Sequence, residues 1–415
     1  MTGNGDWVTI GLSMKILLAV ALIFAILWVV SAFLPRAFSQ EALTYFDRGF
    51  LEQAFRRANL SYLATGLQSI ATFLALFIFA TRKFQNRALF GMHVSRHVLP
   101  GASLWIGAVL AIQAGLMLTL VSLPFRWYKG YYLEKAFGLT RLELGGWFLE
   151  FLKGTVLDLV IYAISGGFAA LLLVRFPRTW HYLLTVVLFL GSMFFAYVYP
   201  IAIAPVFDRF TPLEDQAILA EVNELADAAG MQVDKVLVME ASLKTSRANA
   251  YFTGIGKSKQ VVLYDTLIAN HSLEEVKLVL AHELGHWKYG HIVSGIVFSA
   301  VGTLAITMLF SLVAGPLPEQ FSVMTLRSVF LSLVLFSVLV SYVATPVASM
   351  MSRRHEVQAD MFSLELTGDP DSFVAAMVGL AKGNLGDVEP PGFIRWFAWT
   401  HPTTLERIVM GEQSQ

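Results

Sequence analysis

Six apolar windows free of charge constrain this chain more than any other feature in it. They are residues 16–35, 58–81, 98–125, 182–207, 292–318 and 328–352. A seventh window, 154–174, carries a single carboxylate, Asp158. A bilayer core needs roughly 20 apolar residues in helix, and each window meets that length. The composition agrees. Of 415 residues, 56% are hydrophobic and only 14% charged, where a soluble domain carries roughly 25% charged residues. The mean hydropathy is +0.62. The chain therefore reads as a mainly α, polytopic membrane protein with seven transmembrane helices. Thirty basic and thirty acidic residues cancel, which gives no electrostatic footprint for nucleic acid. Cysteine is absent, so disulfides, a thiol nucleophile and thiolate metal sites are excluded. The first window is longer than the apolar core of a signal peptide and has only Lys15 before it, so it is read as a helix.

Between spans five and six the composition turns polar. Four segments result: 1–207 with five spans, a small α/β insert at 208–291, two further spans at 292–352, and a C-terminal segment at 353–415. In the insert, Thr211-Pro212-Leu213-Glu214 has the pattern of a helix start capped by Thr211, with Gly230 closing that helix. Residues 235–240 and Gln260–Tyr264 read as strands. Ser272-Leu273-Glu274-Glu275 is a second capping pattern, opening a helix that runs toward span six. The loop charges orient the chain by a slight bias. Arg82, Lys83, Arg87, Arg96 and Arg327 are among those on one side. The other side, which bears the insert, has slightly more and is expected to be cytoplasmic.

The second capped helix contains His282-Glu283-Leu284-Gly285-His286. Residues four apart share a helical face, so both imidazoles reach one cation. Glu283 stands beside the first of them, placed to take a proton from water at that cation. Zinc suits nitrogen and oxygen donors with one position left open. A third donor must come from elsewhere. Tyr289 and Ile292 stand where an extended metzincin pattern needs Gly and His. His291 is one position off and is expected to cap or face solvent near the membrane surface. Glu356, in Arg353-Arg354-His355-Glu356-Val357-Gln358-Ala359-Asp360, is the better candidate, with Asp360 on the same face to orient a ligand imidazole. Two spans separate the motifs, an even number, which returns both to one side of the membrane.

These motifs, taken with others, resemble the type I CAAX prenyl proteases, integral membrane zinc metallopeptidases with seven helices. The similarity runs through Tyr199-Pro200 and Ala204 to Leu213, Arg247 to Gly254, Val262 to Leu267, His282 to Trp287, Glu356 to Asp360, and Thr400-His401-Pro402 with Leu405-Glu406-Arg407. Tyr132 to Leu139 matches more weakly. The resemblance implies one Zn2+ per chain on His282, His286 and Glu356, with Glu283 as general base. It implies that Asn249, Ala250, Tyr251 and Phe252 pair with substrate as an added strand. His401 would donate to the developing oxyanion, and Arg407 would hold a carboxylate such as Asp360. Without the resemblance, His401 reads as a loop histidine before a proline and Arg407 as a solvated helix residue. The family also encloses a large chamber between its helices. Arg247 and Ala248 depart from the His and Ser that many relatives carry there.

The implied reaction is endopeptidase cleavage, removing the C-terminal tripeptide from a prenylated CaaX protein. The partners are then a peptide or protein substrate, prenylated in the family reading, and the lipid bilayer, in a bacterial inner membrane or endoplasmic reticulum membrane. General membrane-protein quality control is the alternative within the class. A transporter with a zinc site, or an interaction module with a dead protease site, lacks a use for Glu283. Asp158 reads as lying near a helix end or facing a wet cavity, and Gln68 and Gln113 as lining that cavity or bonding a neighbouring helix. Trp127, Tyr128, Tyr131 and Tyr132 read as interfacial anchors.

Overall fold

The computed structural model describes residues 11–80, 98–233 and 235–414. The loop cations Arg82, Lys83, Arg87 and Arg96 lie outside them. Among the described residues, seven helices are long and apolar enough to cross a membrane. They are α1 (Leu12–Phe33), α2 (Arg48–Ala80), α3 (Pro100–Trp127), α4 (Leu144–Arg175), α5 (Trp180–Val198), α8 (His291–Ala314) and α9 (Val323–Val343). α1 shows how such a helix finds its place. Met14, Leu18, Ala21, Ala25, Trp28 and Ala32 are buried, a stripe at alternating spacings of four and three. Ile16, Ile23, Ile26 and Val30 on the other side stay exposed, as a lipid-facing surface would. With apolar residues all round, packing inside is decided by shape and small residues. α3 and α4 meet closely for that reason: a Cβ on Gly107 would stand 2.3 Å from the carbonyl oxygen of Gly166. α9 is the central helix, with 61% of its apolar window buried, against 6% for the fifth span. An apolar cavity of about 370 Å3 lies among spans three, four, five and seven, lined by Gly115, Tyr162, Leu184 and Phe330.

Two window bounds are corrected. The seventh window continues to 352, but the helix breaks at Ala344 and α10 (Thr345–Thr367) starts there. Pro346 explains the break, because a ring without an N–H fits only the first turn of a helix. The fourth helix begins at Leu144, ten residues before its apolar window. Asp158 is therefore mid-helix and half-buried, away from either end.

The insert holds a four-stranded sheet in the order β1-β2-β4-β3. β1 (Phe210–Pro212) pairs antiparallel with β2 (Val236–Met239), which runs parallel to β4 (Gln260–Tyr264); β3 (Ala250–Thr253) pairs antiparallel with β4 and forms an edge. Thr211 is thus a strand residue and not a cap. The helix α6 (Gln216–Ala229) is capped by Asp215, whose carboxylate accepts from the amides of Ala217 and Ile218. It ends at Gly230 in the left-handed region. The second capping box is formed as the sequence predicts, Ser272 and Glu275 each bonding the other's backbone N–H, and opens α7 (Leu273–Lys288). Ile218, Val222 and Leu225 of α6 pack with Val276, Leu280 and Leu284 of α7 and with Val261 and Leu263 of β4.

α10 returns from span seven and lies along α7. Their contact is close at Gly285, where an added Cβ would stand 3.0 Å from Cα of Ala359. Three helices, α11 (Pro370–Asn384), α12 (Gly392–Ala398) and α13 (Thr404–Glu412), complete the chain. Thr403 and Glu406 form a capping box that opens α13, so Arg407 sits in its first turn.

Candidate active site

α7 and α10 bring three donors together. The Nε2 atoms of His282 and His286 are 3.1 Å apart. Oε2 of Glu356 is 3.3 Å from the first and Oε1 is 3.6 Å from the second. All the donor atoms lie within 4.8 Å of one another. The proton positions follow from the partners. Asp360 is fully buried and accepts from Arg407 at 2.8 and 2.6 Å. A carboxylate so engaged accepts from the Nδ1–H of His282 as well, at 2.8 Å, which leaves Nε2 of His282 facing the cluster, with its lone pair available to a cation that displaces its proton. Two imidazole lone pairs and a carboxylate then converge on one point. Oε2 of Glu356 is buried without a hydrogen-bond partner among the described residues. This is the donor set a divalent cation satisfies, so the residues fit a zinc ion.

His291 is the residue placed most differently from expectation. It is buried and does not face solvent. Gly290 adopts a φ of +63°, a conformation open to glycine at no steric cost, and turns the chain back under the end of α7. Nδ1 of His291 then lies 2.8 Å from Nδ1 of His286, and its Nε2 lies 3.1 Å from Oε1 of Gln358. One proton arrangement satisfies all three: His286 donates from Nδ1 to His291, and His291 donates from Nε2 to Gln358. His286 then keeps its Nε2 lone pair for the cluster, as His282 does through Asp360. The His355 ring stacks on His291 with centroids 4.1 Å apart.

The electrostatics follow burial and charge. Burial disfavours charge on His282, but the carboxylates of Asp360 and Glu356 outweigh it and push the imidazole up to about 10. Burial would raise Glu356, yet the three histidines hold it well below the carboxylate range. Asp360 is likewise lowered, against its burial, by Arg407 and His282. Glu283 goes the other way: burial raises its pKa, the direction a general base at neutral pH requires. Its Oε2 accepts from the amide of Phe252 at 3.0 Å, and Phe252 stacks on Trp287 with centroids 4.7 Å apart, tying the edge strand to the metal-site helix. His401 is half-exposed, and its Nε2 lies 3.2 Å from Oε2 of Glu356.

The edge strand has fewer free positions than the four residues expected. The Asn249 carbonyl accepts from the Tyr264 amide, so Asn249 and Tyr251 turn their backbone groups inward to β4, while Ala248, Ala250 and Phe252 turn theirs outward. Ala248 is already paired: Asn384 Oδ1 accepts from its N–H at 3.0 Å and Asn384 Nδ2 donates to its C=O at 3.1 Å. The Phe252 N–H is engaged by Glu283. Ala250, with the Phe252 carbonyl, is what a peptide could meet. Asn384, Gln358 and the role of His291 escape sequence reasoning, because nothing in their local spacing points to the site.

Known proteins share both halves of this arrangement. Residues 52–209 match the CAAX prenyl protease N-terminal family of five membrane helices. Residues 212–410 match peptidase family M48. The chain is 33% identical to CAAX prenyl protease 1 of Saccharomyces cerevisiae over 70% of its length and 68% of that protein's. It is 30% identical to an uncharacterized metalloprotease of Bacillus subtilis, over 75% of this chain and 74% of that one. The crystal structure of Ste24p from S. mikatae superposes with a TM-score of 0.77 at 25% identity, covering 95% of this chain and 99% of that one. With its seven apolar helices and a largely buried His-His-Glu cluster, the chain belongs to the CAAX prenyl protease family of multi-pass membrane M48 metallopeptidases.

Proposed function

We propose that this membrane metalloprotease binds one zinc ion at His282, His286 and Glu356 and cleaves peptides laid along the edge of β3. The observation that carries the reading is the convergence of three donors beside Glu283, which is itself hydrogen-bonded to the edge strand. A zinc ion in that place supplies a Lewis acid that polarises the scissile carbonyl and makes hydroxide available near pH 7.

The protein's own groups do the rest. The Ala250 N–H and C=O and the Phe252 C=O pair with the substrate backbone, which demands little of its side chains. Glu283 takes the proton of the attacking water as the new C–O bond forms. It then delivers that proton to the amine nitrogen as the C–N bond breaks. His401 donates from Nε2 to the carbonyl oxygen as that oxygen gains charge. Asp360 and His291 hold the two imidazoles in register, and Arg407 holds Asp360.

The relatives' names suggest a prenylated protein with a C-terminal CaaX sequence as substrate, and the family resemblance adds release of its last three residues. The insert side carries the slight excess of loop cations, which supports an active site facing the cytoplasm. The test uses purified protein in detergent with a farnesylated CaaX peptide, its unprenylated twin and the Glu283→Gln variant. Wild type should cleave the farnesylated peptide. Glu283→Gln should retain zinc and lose about 10²-fold or more in rate, the scale of general-base removal. Equal cleavage of the twin would favour a broader membrane protease, and wild-type rates in Glu283→Gln would overturn the mechanism.

A further inference from the structure

A second polar site lies beside the first, at the other end of the edge strand. A cavity of about 500 Å3 is lined by Arg57, Arg247, Asn384, His401 and Arg407. Its charges do not balance. Arg407 is matched by Asp360. Asp387, which also lines the cavity, is taken by Arg36 at 2.9 Å and by the hydroxyl of Tyr62. Arg57 and Arg247, from different parts of the fold, both bind the one carboxylate of Glu134, on opposite oxygens. Two guanidinium groups on one carboxylate leave one positive charge over. Arg57 is mostly buried, and its Nε–H has no partner among the described residues.

The strand edge points a substrate at this cavity. Glu283 marks the Phe252 end of β3, where cleavage occurs, and Asn384 closes the edge at Ala248. The four residue steps from Ala248 to Phe252 span about 13 Å at the rise of an extended chain, room for three or four substrate residues. Beyond that the substrate strand can pair no further, and it meets an unbalanced pair of arginines. A chain running antiparallel to β3 brings its C-terminal end there. A chain running parallel would bring an amino terminus against the cations. We propose that Arg57 and Arg247, with Asn384 as the stop, form a subsite for the α-carboxylate of the substrate's own C-terminus. The protein is then a counter of residues from a free chain end: the scissile bond lies about three residues inside it because that is the distance from Glu283 to the arginines. The inference rests on the proteolytic reading above.

The test compares a farnesylated peptide ending in a free carboxylate with the same peptide ending in an amide. A charged hydrogen-bond partner of this kind changes kcat/KM by about 10- to 100-fold, so wild type should prefer the acid by that factor. The acid-to-amide ratio should fall toward one in Arg247→Gln and in Arg57→Gln, each checked for zinc content. Equal cleavage of acid and amide by wild type would overturn the subsite and leave the protease standing. A ratio unchanged in both variants would overturn it as well. If neither peptide is cleaved, the proteolytic reading fails, and binding to Glu283→Gln decides the subsite alone: tighter binding of the acid supports it, and equal binding removes it.

Discussion

Asp360 does two jobs at once, and a pair of substitutions separates them. It is fully buried, accepts the Nδ1–H of His282 and holds Arg407 through two bonds. Asp360→Asn removes the charge while nearly keeping the shape. Arg407 is then left mostly buried with no counter-charge, and breaking a buried pair in this way costs about 3–5 kcal/mol. The His282 imidazole also keeps only a neutral amide oxygen in place of the carboxylate that fixes its tautomer, a weakening worth about 10- to 100-fold in metal affinity. Arg407→Met in the Asp360→Asn background removes the stranded guanidinium. The double variant should therefore regain about 2 kcal/mol or more of the lost stability, a coupling of the size seen within one ion-pair network. It should not regain zinc affinity, because the acceptor for His282 stays uncharged. Stability is measured by denaturation of the metal-free protein in detergent, so that zinc binding does not enter. Affinity is measured by competition with a chelator. The reasoning is refuted if the double variant is no more stable than Asp360→Asn, or if zinc affinity returns together with stability.

Three other outcomes are expected. The metal-free His282 pKa, pushed up to about 10 against burial by Asp360 and Glu356, has a sign for both folding and binding. Its contribution to stability is complete below the unfolded pKa of about 6.5 and is lost as pH climbs toward the folded value, while zinc affinity rises over the same window by about tenfold per unit, since zinc must displace that proton; calorimetry at pH 8 in two buffers should detect about one released proton. Gly285→Ala places a Cβ about 3.0 Å from the backbone of Ala359, so α7 and α10 must separate, with a loss of about 1–3 kcal/mol and weaker zinc binding, read from thermal unfolding with and without metal. His291→Ala removes the acceptor for the Nδ1–H of His286 and should lower zinc affinity by about 10- to 100-fold, whereas a solvent-facing histidine would leave it unchanged.

What the sequence disclosed depended on range. The spans were legible because an apolar run of bilayer length has one use, and the boxes at Ser272 and Gly230 because capping is local chemistry. Thr211 misled because Thr-Pro suits a short edge strand as well as a helix start, and only pairing with β2 decides between them. The end of span seven was hidden because the apolar run continues across Ala344 into α10. The donors His282, His286 and Glu356 were legible through helical spacing and span parity. His291 was not, since residues five apart share no face of a continuous helix; only the left-handed turn at Gly290 brings it beneath His286. Asn384 and Arg57 lie far from the motifs in sequence, Glu134 sits in the weakly matching stretch Tyr132 to Leu139, and only the tertiary fold assembles them.

The turn at Gly290 also fixes where the reaction is carried out. His286 touches His291, and His291 is the first residue of a membrane-spanning helix. The candidate site is thus joined to the membrane-spanning part twice, through the turn at Gly290 into α8 and through Ala344 from α9 into α10, with the His286–His291 contact bracing the first joint. The donor cluster and the spanning helices therefore cannot shift independently: a displacement of α8 or α9 is passed through one or two residues to the geometry of the donors.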